Sequence, residues 1–240
     1  MRPDPTILVF DTSAAHCAAA LLLRGKIVAQ RHEDMKKGQA ERLFPMLDEV
    51  LGEVGTVWNE LDAIGVGVGP GNFTGLRIAV SAAHGLSLSL GIRAIGISSF
   101  ELMRGALEGD GQDEIVSMPA PRQHAYLQTF RDGKAEAPRL VELSTASLGA
   151  EPRKRPDIPV IGYEAALIAF GLTAPDAARA DDPYQGSNGV DCDIDNWAET
   201  LARLTEARFA QSSEHRPPTP LYVRPPDAAP ASDPPPVILP

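Results

Sequence analysis

A chain of 240 residues with 43% hydrophobic side chains is long enough to bury a large core, as one domain or as two small lobes. Its formal charge of -10, from 22 basic and 32 acidic residues, opposes autonomous binding to a nucleic-acid backbone, because such binding depends on lysine and arginine displacing counterions. The longest strictly apolar run, Cys17 to Leu23, falls far short of the about 20 residues a bilayer span needs, which excludes a membrane-spanning helix.

Cys17 and Cys192 lie far apart with no C-x-x-C pattern, and no charged-then-apolar leader precedes Ile7, so a cytoplasmic protein is expected. Thr6 to Phe10 is a short apolar strand that ends at Asp11-Thr12-Ser13, a natural turn. His16 to Leu23 and Lys26 to Arg31, joined at Arg24-Gly25, complete a three-strand meander. Asp11 has two readings. A carboxylate at the end of a central strand can position a metal ion or a phosphate-bound water, whereas a turn aspartate simply bonds nearby backbone N–H groups. Gln39 to Val54 is an amphipathic helix through Leu43, Met46, Leu47, Val50, Leu51 and Val54. Pro45 removes one ladder bond and predicts a kink or a later start; Gly52 and Gly55 mark the end.

The one dense motif is IGVGVGPGNFTGLR, Ile64 to Arg77. Ile64, Val66 and Val68 alternate with Gly65, Gly67 and Gly69, giving a strand with one apolar face and one face of bare backbone that something must approach closely. Gly69-Pro70-Gly71 forces a tight reversal, and Asn72 or Thr74 is placed to cap the following helix. Free N–H groups after a glycine turn suit an anion, which makes Asp11, Thr12, Ser13, Gly69, Gly71 and Asn72 the nucleotide or phosphate candidates. A close-packed turn explains the same residues, and neither Gly-Lys-Ser/Thr nor G-x-G-x-x-G is present.

The helix Phe73 to Leu90 carries Gly75, Ala79, Ala82, Ala83 and Gly85, small residues that permit close approach, while its leucines, isoleucine and valine spread around the circumference. That pattern fits either a second face that meets a partner or burial against the chain's own sheet. Arg93 to Ile97 is a strand, and Ser98 or Ser99 with Glu101 opens a helix as a capping box.

Glu108 to Asp113 is a polar linker into a second lobe. Glu114 to Met118, Gln123 to Phe130 and Ile158 to Ile161 read as strands, Ser144 to Leu148 and Tyr163 to Phe170 as helices, and Ala174 to Asp193 mostly as loop. Ile194 to Ala210 is a further amphipathic helix, and the Pro/Ala-rich tail beyond Asp227 is expected to lack fixed structure. The histidines at 16, 32, 84, 124 and 215 show no metal-ligand spacing, and no serine or cysteine sits in a nucleophile elbow, so an independent hydrolase is not expected.

Taken together, ILVFDTSAAHCAAALL (Ile7 to Leu22), ERLFPML (Glu41 to Leu47), GVGPGNFTGLRIAVSAAHGLSLSLGI (Gly67 to Ile92), GISSFELM (Gly96 to Met103) and PLYVRPPDA (Pro220 to Ala228) resemble the TsaB family, also called YeaZ. The resemblance is dense over residues 6 to 105, returns at 220 to 228 and is thin between. It implies an α/β actin-like, Hsp70-like ATPase (ASKHA) superfold of two related lobes with mixed sheets and flanking helices, the second lobe degenerate: residues 1–107, residues 108–226, and a flexible tail at 227–240. It also implies a non-catalytic scaffold or activator in the synthesis of tRNA N6-threonylcarbamoyladenosine. The sister subunit, TsaD, carries the metal site and transfers the threonylcarbamoyl group, and TsaE, a P-loop ATPase, joins the complex. The chain itself is then expected to hold no cofactor, with ATP or ADP and a metal ion in the partner complex, and to meet tRNA only through that complex. The family's dimer surface, used for TsaD or for a homodimer, maps to the helices Gln39 to Val54 and Phe73 to Leu90, with Leu43, Leu47, Phe73, Arg77, Ala79, Val80 and Ala83 as interface residues. One departure is Ala120-Pro121-Arg122 where the family has Asp-Ala-Arg; Arg122 and Tyr126 still match. Two rival readings of the superfold are an autonomous ATP-dependent small-molecule kinase anchored at Asp11 and a glycoprotease-like hydrolase.

Overall fold

The structure, a computed structural model, describes residues 4–106, 113–144, 158–173, 189–191, 194, 196–211 and 216–223. The linker up to residue 112, most of the helix expected from Ser144 to Leu148 and the tail beyond Asp227 lie outside the described residues.

The first sheet is built from β1 (Thr6–Asp11), β2 (His16–Leu23), β3 (Lys26–Asp34), β4 (Ala63–Gly67) and β5 (Arg93–Ile97), in the order β3-β2-β1-β4-β5. The meander pairs antiparallel, and β4 and β5 add parallel to β1. β1 is buried along its whole length, as its unbroken apolar run requires of a central strand. Two helices cover one face: α1 (Gln39–Glu53) and α2 (Phe73–Leu90). They pack Leu43, Met46, Leu47, Val50, Ala79 and Ala83 onto Leu8, Phe10, Leu21, Ile64 and Val66. The other face, Ile7, Val9, Ala18, Ala20 and Leu22, packs on α3 (Ser99–Ala106) and α5 (Trp197–Gln211) through Phe100, Met103, Leu201 and Ala202. Although it follows the second sheet in the chain, α5 lies on the first.

The second sheet contains β6 (Glu114–Ala120), β7 (His124–Arg131), β8 (Lys134–Ala135), β9 (Arg139–Glu142), β10 (Val160–Gly162) and β11 (Gly189–Asp191), with α4 (Ala165–Thr173) against β10 and β11. β11 lies within the segment Ala174 to Asp193, expected to be mostly loop, where Gly189–Asp191 pairs parallel to β10. The two short strands β8 and β9 were also unanticipated. α1 begins at Gln39, not later, and Pro45 sits on its exposed side, where water can reach the carbonyl left without its bond. Ser98 caps α3 as expected, with Ser98 N donating to Glu101 Oε2 (2.8 Å) and Glu101 N to Ser98 Oγ (3.2 Å).

Arg42 ties α1 to β3. Its Nε donates to Glu33 Oε2 at 2.8 Å and its Nη1 to Glu49 Oε1 at 2.7 Å. These bonds hold both carboxyls below the ordinary value of 4.5. Because the folded pKa values are depressed, the stabilisation is present above the unfolded value and lost as pH falls through the folded ones. The advantage in Tm of the native chain over an Arg42→Gln variant is therefore expected to shrink as pH drops below about 4.5. The groups are partly exposed, so the effect is modest. A constant difference between neutral and acid pH would show that the network does not contribute through ionisation.

Candidate functional site: the glycine turn and the paired helices

The turn after β1 and the turn before α2 interlock. Thr12 Oγ1 donates to Gly75 O at 2.7 Å and Asn72 N to Ser13 O at 2.6 Å. Asn72 is the helix cap, its Oδ1 accepting from Thr74 N (3.0 Å) and Gly75 N (3.1 Å). Ser99 N closes the other side on Gly69 O at 2.8 Å. Gly69 takes φ +85, a left-handed angle that disfavours any side chain. At Gly71 and Gly75 the limit is space, since an added Cβ would lie 2.2 Å from Ser13 O and 1.8 Å from Thr12 O.

The bare face of β4 is filled from within the chain. A Cβ on Gly67 would lie 1.6 Å from Asp11 Oδ2, and one on Gly65 would lie 2.2 Å from Thr205 Oγ1 of α5. Asp11 is 1% exposed. Its Oδ1 accepts from Ser13 N (2.9 Å), Ser13 Oγ (2.8 Å) and His16 Nε2 (2.7 Å), while Oδ2 has no hydrogen-bond partner. The His16 ring lies 5.0 Å from that of His32 and 5.1 Å from that of Trp197. Thus the structure brings Asp11, Thr12, Ser13, Gly69, Gly71 and Asn72 together. The backbone donors of Asn72, Thr74 and Gly75, which a phosphate would use, are engaged inside the chain.

The interface residues inferred from the resemblance divide in two. Leu43, Leu47, Ala79, Val80 and Ala83 are buried in the chain's own core beneath α1 and α2, although Leu43 also lines the groove between the two helices. The physical reason is periodicity: these positions form the stripe of each helix that faces the sheet, and their small size brings α2 close to it. Phe73 and Arg77 are exposed. The Arg77 guanidinium stacks 3.8 Å above the Phe73 ring, and Arg77 Nε donates to Tyr222 Oη at 3.2 Å.

The outward side of the helix pair is a shallow groove of about 500 Å³ whose lining includes Ala40, Leu43 and Phe44 from α1 and Ser81, Gly85 and Ser89 from α2. Phe44 is 45% exposed and Leu88, further along α2, is 87% exposed. Ala40, Phe44, Ser81 and Ser89 were not singled out from sequence, although the i, i+4 series Ser81-Gly85-Ser89 carried the signal. The segment 216–223 straps this lobe: Leu221 N donates to Val68 O (2.8 Å), and His84 Nε2 lies 2.8 Å from Pro218 O. Cys17 is buried, and burial pushes its thiol up to about 11, which leaves it inert. Among the described residues no group of three His, Cys, Asp or Glu side chains stands together as metal ligands, and no helix is long and apolar enough to cross a membrane.

The mixed sheet order, the interlocked turns and the flanking helices define an α/β protein of two mixed sheets with helices against them. Residues 26–140, just under half the chain, match the family model described as TsaD: tRNA N6-adenosine threonylcarbamoyltransferase. The Haemophilus influenzae tRNA threonylcarbamoyladenosine biosynthesis protein TsaB is 38% identical over 113 residues, 47% of this chain and 48% of that protein. An uncharacterized Mycobacterium tuberculosis protein is 29% identical over 227 residues, 94% of each chain. The solved structure of YeaZ from Pseudomonas aeruginosa superposes with a TM-score of 0.65 at 22% identity, over 91% of this chain and 99% of that one. Alignment to the first of these relatives spans about half its length. In sequence over about half its length, and in fold over most of it, the chain is similar to TsaB/YeaZ proteins.

Proposed function

We propose that this chain is an accessory subunit in the formation of tRNA N6-threonylcarbamoyladenosine. It holds and activates a TsaD-like transferase, leaves the transfer chemistry to that partner, and meets a TsaE-like ATPase and tRNA only within the assembly. The names of its relatives support the pathway. The observation that carries the docking role is the groove between α1 and α2. There a half-exposed Phe44 flanks a floor of Ala40, Ser81, Gly85 and Ser89. Small floor residues let a facing helix approach closely, and an aromatic beside them supplies the anchor that interfaces use.

The test is co-purification with a TsaD-like subunit. Ser81→Glu, which puts a charge on the groove floor, is expected to lower affinity at least about a hundredfold while the isolated chain keeps its native circular dichroism. Phe44→Ala should weaken the same complex by about tenfold or more. Unaltered complex formation by both variants would move the interface elsewhere, and loss of a self-associated form alone would show that the face pairs two copies of this chain.

A further inference from the structure

The strap at residues 216–223 carries the chain along the flank of α2. Pro218 O lies 2.8 Å from His84 Nε2, and the Tyr222 ring lies 5.2 Å from that of Phe73, so the strap runs from the middle of the helix towards its start. Phe73, Arg77 and His84, which it touches, fall on one stripe of the helix. Ile78, Ala82, Gly85 and Ser89, which line the groove against α1, fall on another, about a third of a turn away. Leu88, 87% exposed, stands between the two stripes.

The sequence beyond the strap changes character near its far end. From Pro225 to Pro236 it is made only of proline, aspartate, alanine and serine, and then come three large aliphatic residues in succession, Val237, Ile238 and Leu239. Their apolar surface has no apolar neighbour in that stretch large enough to cover it. The groove offers a matching lining, which includes Leu43, Phe44, Ile78, Ala82 and Leu86 and no charged side chain. Reach is sufficient. Arg224 to Pro236 spans about 40 Å in the extended form that proline favours, whereas the path from Phe73 over α2 to Gly85 is about 18 Å along the axis and about 10 Å across it. Pro234 to Pro236 also stiffen the approach, which lowers the entropy lost on docking.

We propose that Val237, Ile238 and Leu239 of the same chain occupy the α1/α2 groove and cover Phe44 until a partner displaces them. The occupancy stands on the groove, the strap and the sequence; its regulatory consequence rests on the docking role proposed above. A segment tethered this closely acts at an effective concentration of about 1 mM, so an intrinsic Kd of about 0.1 mM fills the groove about ten times as often as it leaves it open. A partner's apparent affinity then falls about tenfold.

The experiment compares the full chain with a version ending at Pro226. Amide and methyl shifts of Ala40, Ile78, Ala82 and Leu86 should differ between the two, equally at low and at high protein concentration, while circular dichroism stays native-like. Ile238→Asp combined with Leu239→Asp in the full chain should reproduce the shifts of the shortened one. A synthetic peptide of residues 232–240, added to the shortened chain, should restore the full-chain shifts with a Kd of about 0.1 mM. The shortened chain should also bind a TsaD-like subunit about tenfold more tightly than the full chain. Groove shifts that neither the shortening nor the two aspartates change overturn the proposal. So does a difference that grows with protein concentration, which would make the occupant the same segment of a second copy. The expected shifts with an unaltered affinity for the TsaD-like subunit would uphold the occupancy and remove the docking role from this groove.

Discussion

Gly75→Ala is expected to destabilise the chain substantially, although alanine is the better helix former. Helix propensity alone favours the change by about 1 kcal/mol. Against this, the new Cβ would lie 1.8 Å from Thr12 O, a backbone atom of the turn after the central strand. Relief requires α2 and that turn to separate, which strains or breaks Thr12 Oγ1 to Gly75 O and Asn72 N to Ser13 O, both formed between the same two segments. Overpacking costs about 1–3 kcal/mol and each of the two buried bonds about 1 kcal/mol, so after the propensity gain the net loss is about 2–4 kcal/mol out of a total of about 5–15. Gly85→Ala supplies the control on the same helix. Nothing lies within 4 Å of a Cβ there, so propensity is left unopposed and stability should rise by up to about 1 kcal/mol. Urea unfolding followed by tryptophan fluorescence checks both signs. Equal effects at the two positions would remove the interlocked turns as the organising feature of the lobe.

What the sequence disclosed and what it hid follow the same division between local and distant causes. The 3.6-residue pattern of α1 and α2, the capping box at Ser98 and the meander of β1, β2 and β3 are set by residues within a few positions of one another, and these stand as read. The alternating glycines of β4 announced a surface that something must approach. They did not say that the visitors are Asp11 from a neighbouring strand and Thr205 from a helix far along the chain. Likewise α5 was legible as an amphipathic helix, but its position on the first sheet is a tertiary choice with no local signature. β11 was missed because three residues, Gly189–Asp191, become a strand only through pairing with β10. The interface residues implied by the resemblance divide between core and surface for a different reason. Alanine is compatible with a tight core and with a docking surface, so Ala79 and Ala83 fit both readings until burial separated them from Ser81 and Gly85.

That separation makes the charge-scan of α2 decisive. Ala83→Glu places a carboxylate where exposure is 0%, in the apolar cluster that also contains Leu43, Leu47 and Ile64. Burying an unpaired charge, or displacing the helix to bring it to water, costs about 4 kcal/mol or more, which is enough to leave the chain insoluble or largely unfolded. Ser81→Glu, two residues earlier on the same helix, points outward and should change stability by no more than about 0.5 kcal/mol. Any partner lost by the first variant is therefore lost through unfolding, and only the second reports on docking. If Ala83→Glu instead gave a cooperative unfolding transition close to the native one, α2 would be turned relative to the sheet and the groove facing a partner would be lined by Ala79 and Ala83 after all.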